Sequence, residues 1–252
     1  MGEAGRYAAW SVGRSWGRTV GRHHPPYAGS RPPRAADPVL LVPGFMAGDG
    51  TLSLMARALR REGLRTYRSH IRANVGCTLG AALLLEARLQ EIATRRGSRV
   101  RIVGHSLGGM LARGVAARRP DLVSGIVTMG SPVLAPGAHH VSLAHSVEVL
   151  VRLSRAGVPG LMSEDCVAGA CARQSFDEAQ APLAADVANT SVFSRRDGIV
   201  DWRACIDPGA HAVEVRASHC GMALDPRVID VVLAALRPAV GSAVEVDRGK
   251  IA

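Results

Sequence analysis

A run of ~20 consecutive apolar residues, the length a membrane-spanning helix needs, is missing from this 252-residue chain. The apolar core of a secretory leader is missing too, because Gly, Arg and His interrupt the N-terminal segment. The expected compartment is therefore cytoplasmic. Lysine is almost absent: Lys250 stands alone, so the formal net charge of +10 rests on arginine. Beside abundant Ala, Gly and Val, that one-sided usage reads as a coding bias rather than a patch built for phosphates, and no nucleic-acid partner is expected. Five cysteines (Cys77, Cys166, Cys171, Cys205 and Cys220) form no Cys-x-x-Cys pair, which excludes zinc-ribbon spacing. Their odd number leaves at least one thiol free. Cys205 and Cys220, near the ends of two neighbouring segments, are the pair an oxidising compartment would bridge.

What is present is globular. Hydrophobic residues make up 47% of the chain and charged residues 21%, and the length suffices for one large α/β domain with a substantial core. Composition divides the chain into a basic arm (1–36), a domain (37–238) and a short tail (239–252). In the arm, Gly13-Arg14, Gly17-Arg18 and Gly21-Arg22 recur every four residues and Pro25, Pro26, Pro32 and Pro33 follow. Glycine at that density disfavours helix and the prolines favour extended chain. Tyr7, Trp10, Trp16 and Tyr27 among the arginines would allow a weak contact with an anionic membrane surface. A flexible arm is the simpler reading.

From Asp37 short apolar strands alternate with helical segments. Val39 to Val42, ended by Pro43-Gly44, suits a strand buried on both faces. Further strands are expected at 66–71, 100–103, 126–129, 187–193 and 212–215. Helices are expected at 51–61, 79–94, 107–118 and from Asp225-Pro226 to Leu236, the last with Asp as N-cap and Pro at the first helical position. This order predicts a doubly wound, mostly parallel sheet of about six strands. Residues 133–186 fit the alternation poorly and read as an excursion over one end of the sheet, a lid-like or cap insertion.

Gly104-His105-Ser106-Leu107-Gly108-Gly109 stands between an apolar strand and a helix, the setting of a nucleophile elbow. Ser106 is the candidate nucleophile. Its hydroxyl needs a base, and His219, after the last strand, follows in the order serine, acid, histidine. For the acid, Asp197 precedes Gly198 in a loop at the right end of the sheet and is preferred, with Asp201 as rival. An oxyanion hole needs two backbone N–H donors. Leu107 supplies one by position and Phe45 is the candidate for the other, with Gly44 expected to turn the backbone so that the next amide faces the serine. Pro43 has no N–H to offer.

Together the Val-Pro-Gly-Phe turn, the Gly-His-Ser-Leu-Gly-Gly elbow, the Asp-Gly-Ile-Val loop and the Ser-His-Cys-Gly-Met loop resemble the α/β-hydrolase family over about residues 37–237, and within it small bacterial esterases and triacylglycerol lipases. The resemblance implies an eight-stranded sheet in the full family, here without its first two strands, and a departure at Pro43-Gly44, where many members have His-Gly. It implies a serine hydrolase acting on carboxylic esters of an apolar acyl group, with a small-molecule or lipid ester as substrate and no metal or organic cofactor. Acyl transfer or thioester hydrolysis by the same residues is the alternative, and a catalytically silent binding protein on this fold a third.

Overall fold

A computed structural model describes residues 37–137 and 140–237. The basic arm (1–36) and the tail (239–252) lie outside the described residues. Six strands form one sheet, every pairing of which is parallel: β1 (Val39–Val42), β2 (Thr66–Arg68), β3 (Val100–His105), β4 (Val123–Met129), β5 (Ala188–Phe193) and β6 (His211–Glu214), in the order β2-β1-β3-β4-β5-β6. The order reverses between β1 and β3, and ligands of open parallel sheets gather outside the carboxyl ends of the strands at such a point.

Alternation along each strand supplies two cores. Side chains of β1 point in turn to opposite faces, so Val39 and Leu41 join one cluster while Leu40 and Val42 join the other. The first face is covered by α1 (Ser53–Arg61) and α7 (Pro226–Leu236), through Met55 and Leu59 of α1 and Val228, Val232 and Leu236 of α7. The second is covered by α2 (Thr78–Arg96) and α3 (Leu107–Arg118), through Leu85, Leu89, Ile92, Leu111 and Val115. Helices on both faces explain why the strands read as continuous apolar runs. In α7, Asp225 caps the helix by accepting from the Arg227 amide, and Pro226 occupies the first turn.

Three strands differ from the expectation by more than one residue. β4 starts at Val123 rather than at 126, because Val123 and Gly125 already pair with Val100 and Arg101 of β3. β2 stops at Arg68 because the next amides leave the ladder: Ser69 N–H and His70 N–H donate to the Asp49 carboxylate at 3.0 and 2.9 Å, with His70 at φ +69°. β3 runs on to His105 because Gly104 and His105 still pair with Thr128 and Met129 of β4. That extension carries the chain up to Ser106.

The excursion is not uniform. It contains α4 (Val141–Arg155), the single turn α5 (Asp165–Ala168) and α6 (Ala170–Gln180). α6 packs along α3, with Glu178 against Arg118, and the Ala181 carbonyl just after it accepts from Arg113. It is thus part of the wall of the fold. At the start of α4, His140 N–H donates to the Ile199 carbonyl at 2.7 Å, and beyond its end Met162 N–H reaches the Val75 carbonyl at 2.8 Å.

Candidate active site

Ser106 lies between the last residue of β3 and the first of α3, with φ +54° and ψ −125°. A non-glycine residue in that region costs on the order of 1–3 kcal/mol and survives only where its surroundings impose it. The surroundings here are very close. A Cβ on Gly104 would fall 2.5 Å from the Gly109 Cα, and one on Gly108 would overlap the carbonyl oxygens of Val42 and Pro43. The amide of Ser106 is fixed by the Met129 carbonyl at 2.9 Å.

His219 and Asp197 meet at the same edge. His219 Nδ1 and Asp197 Oδ2 are 2.6 Å apart, with side chains only 6% and 1% exposed. The other carboxylate oxygen, Oδ1, accepts from the amides of Ile199 and Val200 at 2.9 and 2.8 Å. Both carboxylate oxygens are therefore engaged, and the imidazole is oriented. The loop bearing Asp197 has its own small apolar cluster of Phe193, Val200 and Cys205, with Trp202 stacked on Phe193. Ser194 Oγ ties the two loops together, accepting from Arg196 N–H and Ala217 N–H. Asp201 does not reach the histidine. It caps the short 3-10 turn Trp202–Cys205 by accepting from Arg203 N–H, and its side chain is 45% exposed.

Three residues that matter here had no signal of their own in the sequence. Gly130, just past β4, has φ +56°, and a Cβ there would stand 3.1 Å from both Asp197 Oδ2 and His219 Nδ1. It gives the pair its room, and its amide donates to the Val192 carbonyl. His105 sends Nε2 to the His219 carbonyl at 2.9 Å, its ring 4.8 Å from that of His219. A carbonyl only accepts, so His105 is the Nε2–H tautomer. Burial, then the neighbouring His219, push its imidazole down to about 3, so it stays neutral and acts as a strut between the elbow and the histidine loop. Asn74 is buried and clamps the loop after β1: its Nδ2 donates to the Pro43 carbonyl at 3.0 Å, its backbone carbonyl accepts from Met46 N–H, and its amide donates to the Ala47 carbonyl.

That loop corrects one expectation. Gly44 does not make the turn; the left-handed residue is Met46, at φ +55°. Gly44 is small for a different reason, since a Cβ there would stand 3.0 Å from the Ser106 Cβ and 3.1 Å from the His105 carbonyl oxygen. Phe45, Ser106 and Leu107 line one cavity of about 670 Å³. The amide of Leu107, first in α3, belongs to the helix-start N–H groups that have no partner within the helix. Met110, Leu143, Val147, Val151, Met162 and Phe176 make the cavity walls largely apolar. No disulfide joins Cys205 and Cys220, and burial followed by the charges of Asp197 and Asp201 pushes Cys205 up to about 12.

Comparison with known proteins agrees with this architecture. A family model described as alpha/beta hydrolase fold matches residues 92–174, a stretch that includes Ser106. A triacylglycerol lipase of Vibrio cholerae is 29% identical over 98 residues, which are 37% of this chain and 31% of that protein, so the match spans about a third of the relative's length. The crystal structure of the mature Bacillus licheniformis lipase superposes with a TM-score of 0.64 at 15% identity, covering 85% of this chain and 96% of that one. A monoacylglycerol lipase of Paleococcus ferrophilus gives 0.54 at 17% identity, covering 80% and 95%. No helix among the described residues is long and apolar enough to cross a membrane.

Proposed function

This chain has the α/β-hydrolase fold and is similar to lipases, and on that premise we propose that it hydrolyses carboxylic esters of apolar acids through an acyl-enzyme formed on Ser106. The observation that carries the reading is the buried Asp197–His219 pair, 2.6 Å apart at the sheet edge that bears the strained serine. With Nδ1–H donated to the carboxylate, Nε2 is the nitrogen left to accept the Ser106 proton as Oγ attacks the ester carbonyl carbon. The amides of Phe45 and Leu107 take the negative charge that develops on the carbonyl oxygen. Collapse breaks the bond to the alcohol, which leaves with the proton from Nε2. Water, deprotonated by the same nitrogen, then releases the acid and frees the serine.

The substrate class follows from the cavity. Its volume lies within the ordinary range for small-molecule sites and its walls are mainly apolar. The charged residues that reach it are already paired, Arg152 with Glu148 at 2.6 Å and Arg155 with Glu164 at 2.5 Å, so no unpaired charge among these four calls for an ionic substrate. α4, whose Leu143, Val147 and Val151 line the cavity, is the cap over the acyl group. A fluorophosphonate probe is expected to label Ser106 covalently, and p-nitrophenyl esters of increasing chain length to be cleaved by the wild type and not by Ser106→Ala. A folded protein that takes no label, or takes it on another residue, defeats the reading.

A further inference from the structure

Three of the five cysteines meet beside the cavity. Cys77 Sγ lies 3.4 Å from Cys171 Sγ, Cys166 Sγ lies 3.8 Å from Cys171 Sγ, and all three sulfurs fall within 4.8 Å of one another. They come from separate parts of the chain. Cys77 is the N-cap residue of α2, Cys166 sits in the single turn α5, and Cys171 lies in the first turn of α6. Ninety-four residues separate Cys77 from Cys171, so the group left no spacing signature in the sequence.

We propose that the three sulfurs hold a thiophilic d¹⁰ cation, Zn²⁺ in the first instance, which fastens the wall of the cavity to the start of α2. Tetrahedral zinc with Zn–S of ~2.3 Å places its sulfurs ~3.8 Å apart, and the two shortest separations here lie at or just inside that value. A disulfide requires ~2.05 Å and joins two sulfurs only. Cys171 instead stands almost evenly between two partners and selects neither. The turn that carries Cys166 and Cys171 is built to hold them on one side: Asp165 Oδ1 and Oδ2 accept from the amides of Ala170 and Cys171 at 2.8 and 3.2 Å. A Cβ on Gly169 would overlap that carboxylate. Two helix starts also converge there. Cys77 Sγ accepts from Gly80 N–H at the start of α2, and Cys171 lies in the first turn of α6. Solvent reaches Cys77, and the Ser163 hydroxyl lies 3.5 Å from Cys166 Sγ, which leaves a fourth position for water.

The ion is structural. Thr78, Met162, Cys166, Ala172 and Phe176 all line the cavity, so a cation at the sulfurs joins the parts of its wall that the backbone does not. This inference is independent of ester hydrolysis, and its test reads metal rather than turnover. The full chain is expressed with added zinc, purified under reductant without chelator and analysed by mass spectrometry for metal and intact mass. About one zinc per chain is expected to survive gel filtration. Cobalt substitution should produce a thiolate-to-metal charge-transfer band. Chelation should lower the wild-type Tm and leave that of Cys77→Ser unchanged. Because Cys171 is buried and its variants risk misfolding, the exposed Cys77 is the lead position: Cys77→Ser and Cys166→Ser should lose the zinc, while Cys220→Ser keeps it. A zinc-free wild type, or full zinc in Cys77→Ser, would overturn the proposal.

Discussion

Replacing Asp197 by Asn tests the proposed chemistry most sharply, because the structure dictates which way the amide must turn. Oδ1 of Asp197 accepts two backbone amides, from Ile199 and Val200. In the Asp197→Asn variant the side-chain carbonyl oxygen has to keep that place, since an NH₂ there would face two donors. The NH₂ is thereby aimed at His219 Nδ1, which in the wild type lies 2.6 Å from a carboxylate oxygen. A donor at Nδ1 forces that nitrogen to accept and moves the ring proton to Nε2, the nitrogen that must take the serine proton. Loss of the correct tautomer is worth ~10⁴ in kcat in the serine-protease template, or about 5 kcal/mol of barrier at ~1.36 kcal/mol per tenfold. Asp201→Asn is the control: Asn caps a helical turn about as well as Asp, so its activity should stay within a factor of about two. Initial rates on a short-chain p-nitrophenyl ester, with thermal melts to show that both variants fold, decide the matter. If Asp197→Asn keeps more than about a tenth of wild-type kcat, the tautomer argument and the assignment of the acid both fail.

Three further outcomes are expected. Ser106→Gly should abolish esterase activity yet raise stability by roughly 1 kcal/mol in urea melts, because glycine relieves the φ of +54°; an unchanged or lower midpoint would mean the elbow is not strained. Gly130→Ala should cost about 1–2 kcal/mol for its positive φ and most of the activity, since the new methyl stands 3.1 Å from Asp197 Oδ2 and His219 Nδ1; wild-type rates in that variant would contradict the crowding. Arg113→Met should destabilise by roughly 3–5 kcal/mol, because it strands Asp207 without its buried partner at 2.7 Å. The same pair sets a pH dependence. Burial alone would raise the Asp207 carboxyl, but hydrogen bonds from Arg113, Gly209 and Asn189 hold it below the ordinary value. Its contribution is therefore complete above the unfolded value of ~3.9 and is lost as pH falls through the lower folded one. Urea midpoints of wild type and Arg113→Met should converge in strong acid, and a difference independent of pH would refute the pairing.

Local pattern by itself determined the alternation of strand and helix, the elbow at Ser106, and the preference for Asp197 over Asp201. Each of these rests on neighbours within a few residues: an apolar run whose both faces are covered, glycines flanking a serine, a glycine after an aspartate. The helix at 107–118 and the Asp225 cap were legible for the same reason. What the tertiary structure decided involves groups far apart in the chain. His105 touches the His219 carbonyl across 114 residues and Asn74 the Pro43 carbonyl across 31, and neither distance leaves a periodicity. Gly44 shows the limit most plainly. Its neighbours suggested a turning residue, but the turn is at Met46, and the absence of a side chain answers to Ser106, brought against it only when β1 and β3 pair with Val42 beside Gly104. The excursion was visible as a break in the pattern. That α6 belongs to the body of the fold while α4 stands over the cavity follows from packing against α3, which an amphipathic stretch cannot reveal because its apolar face is the same whichever surface it meets.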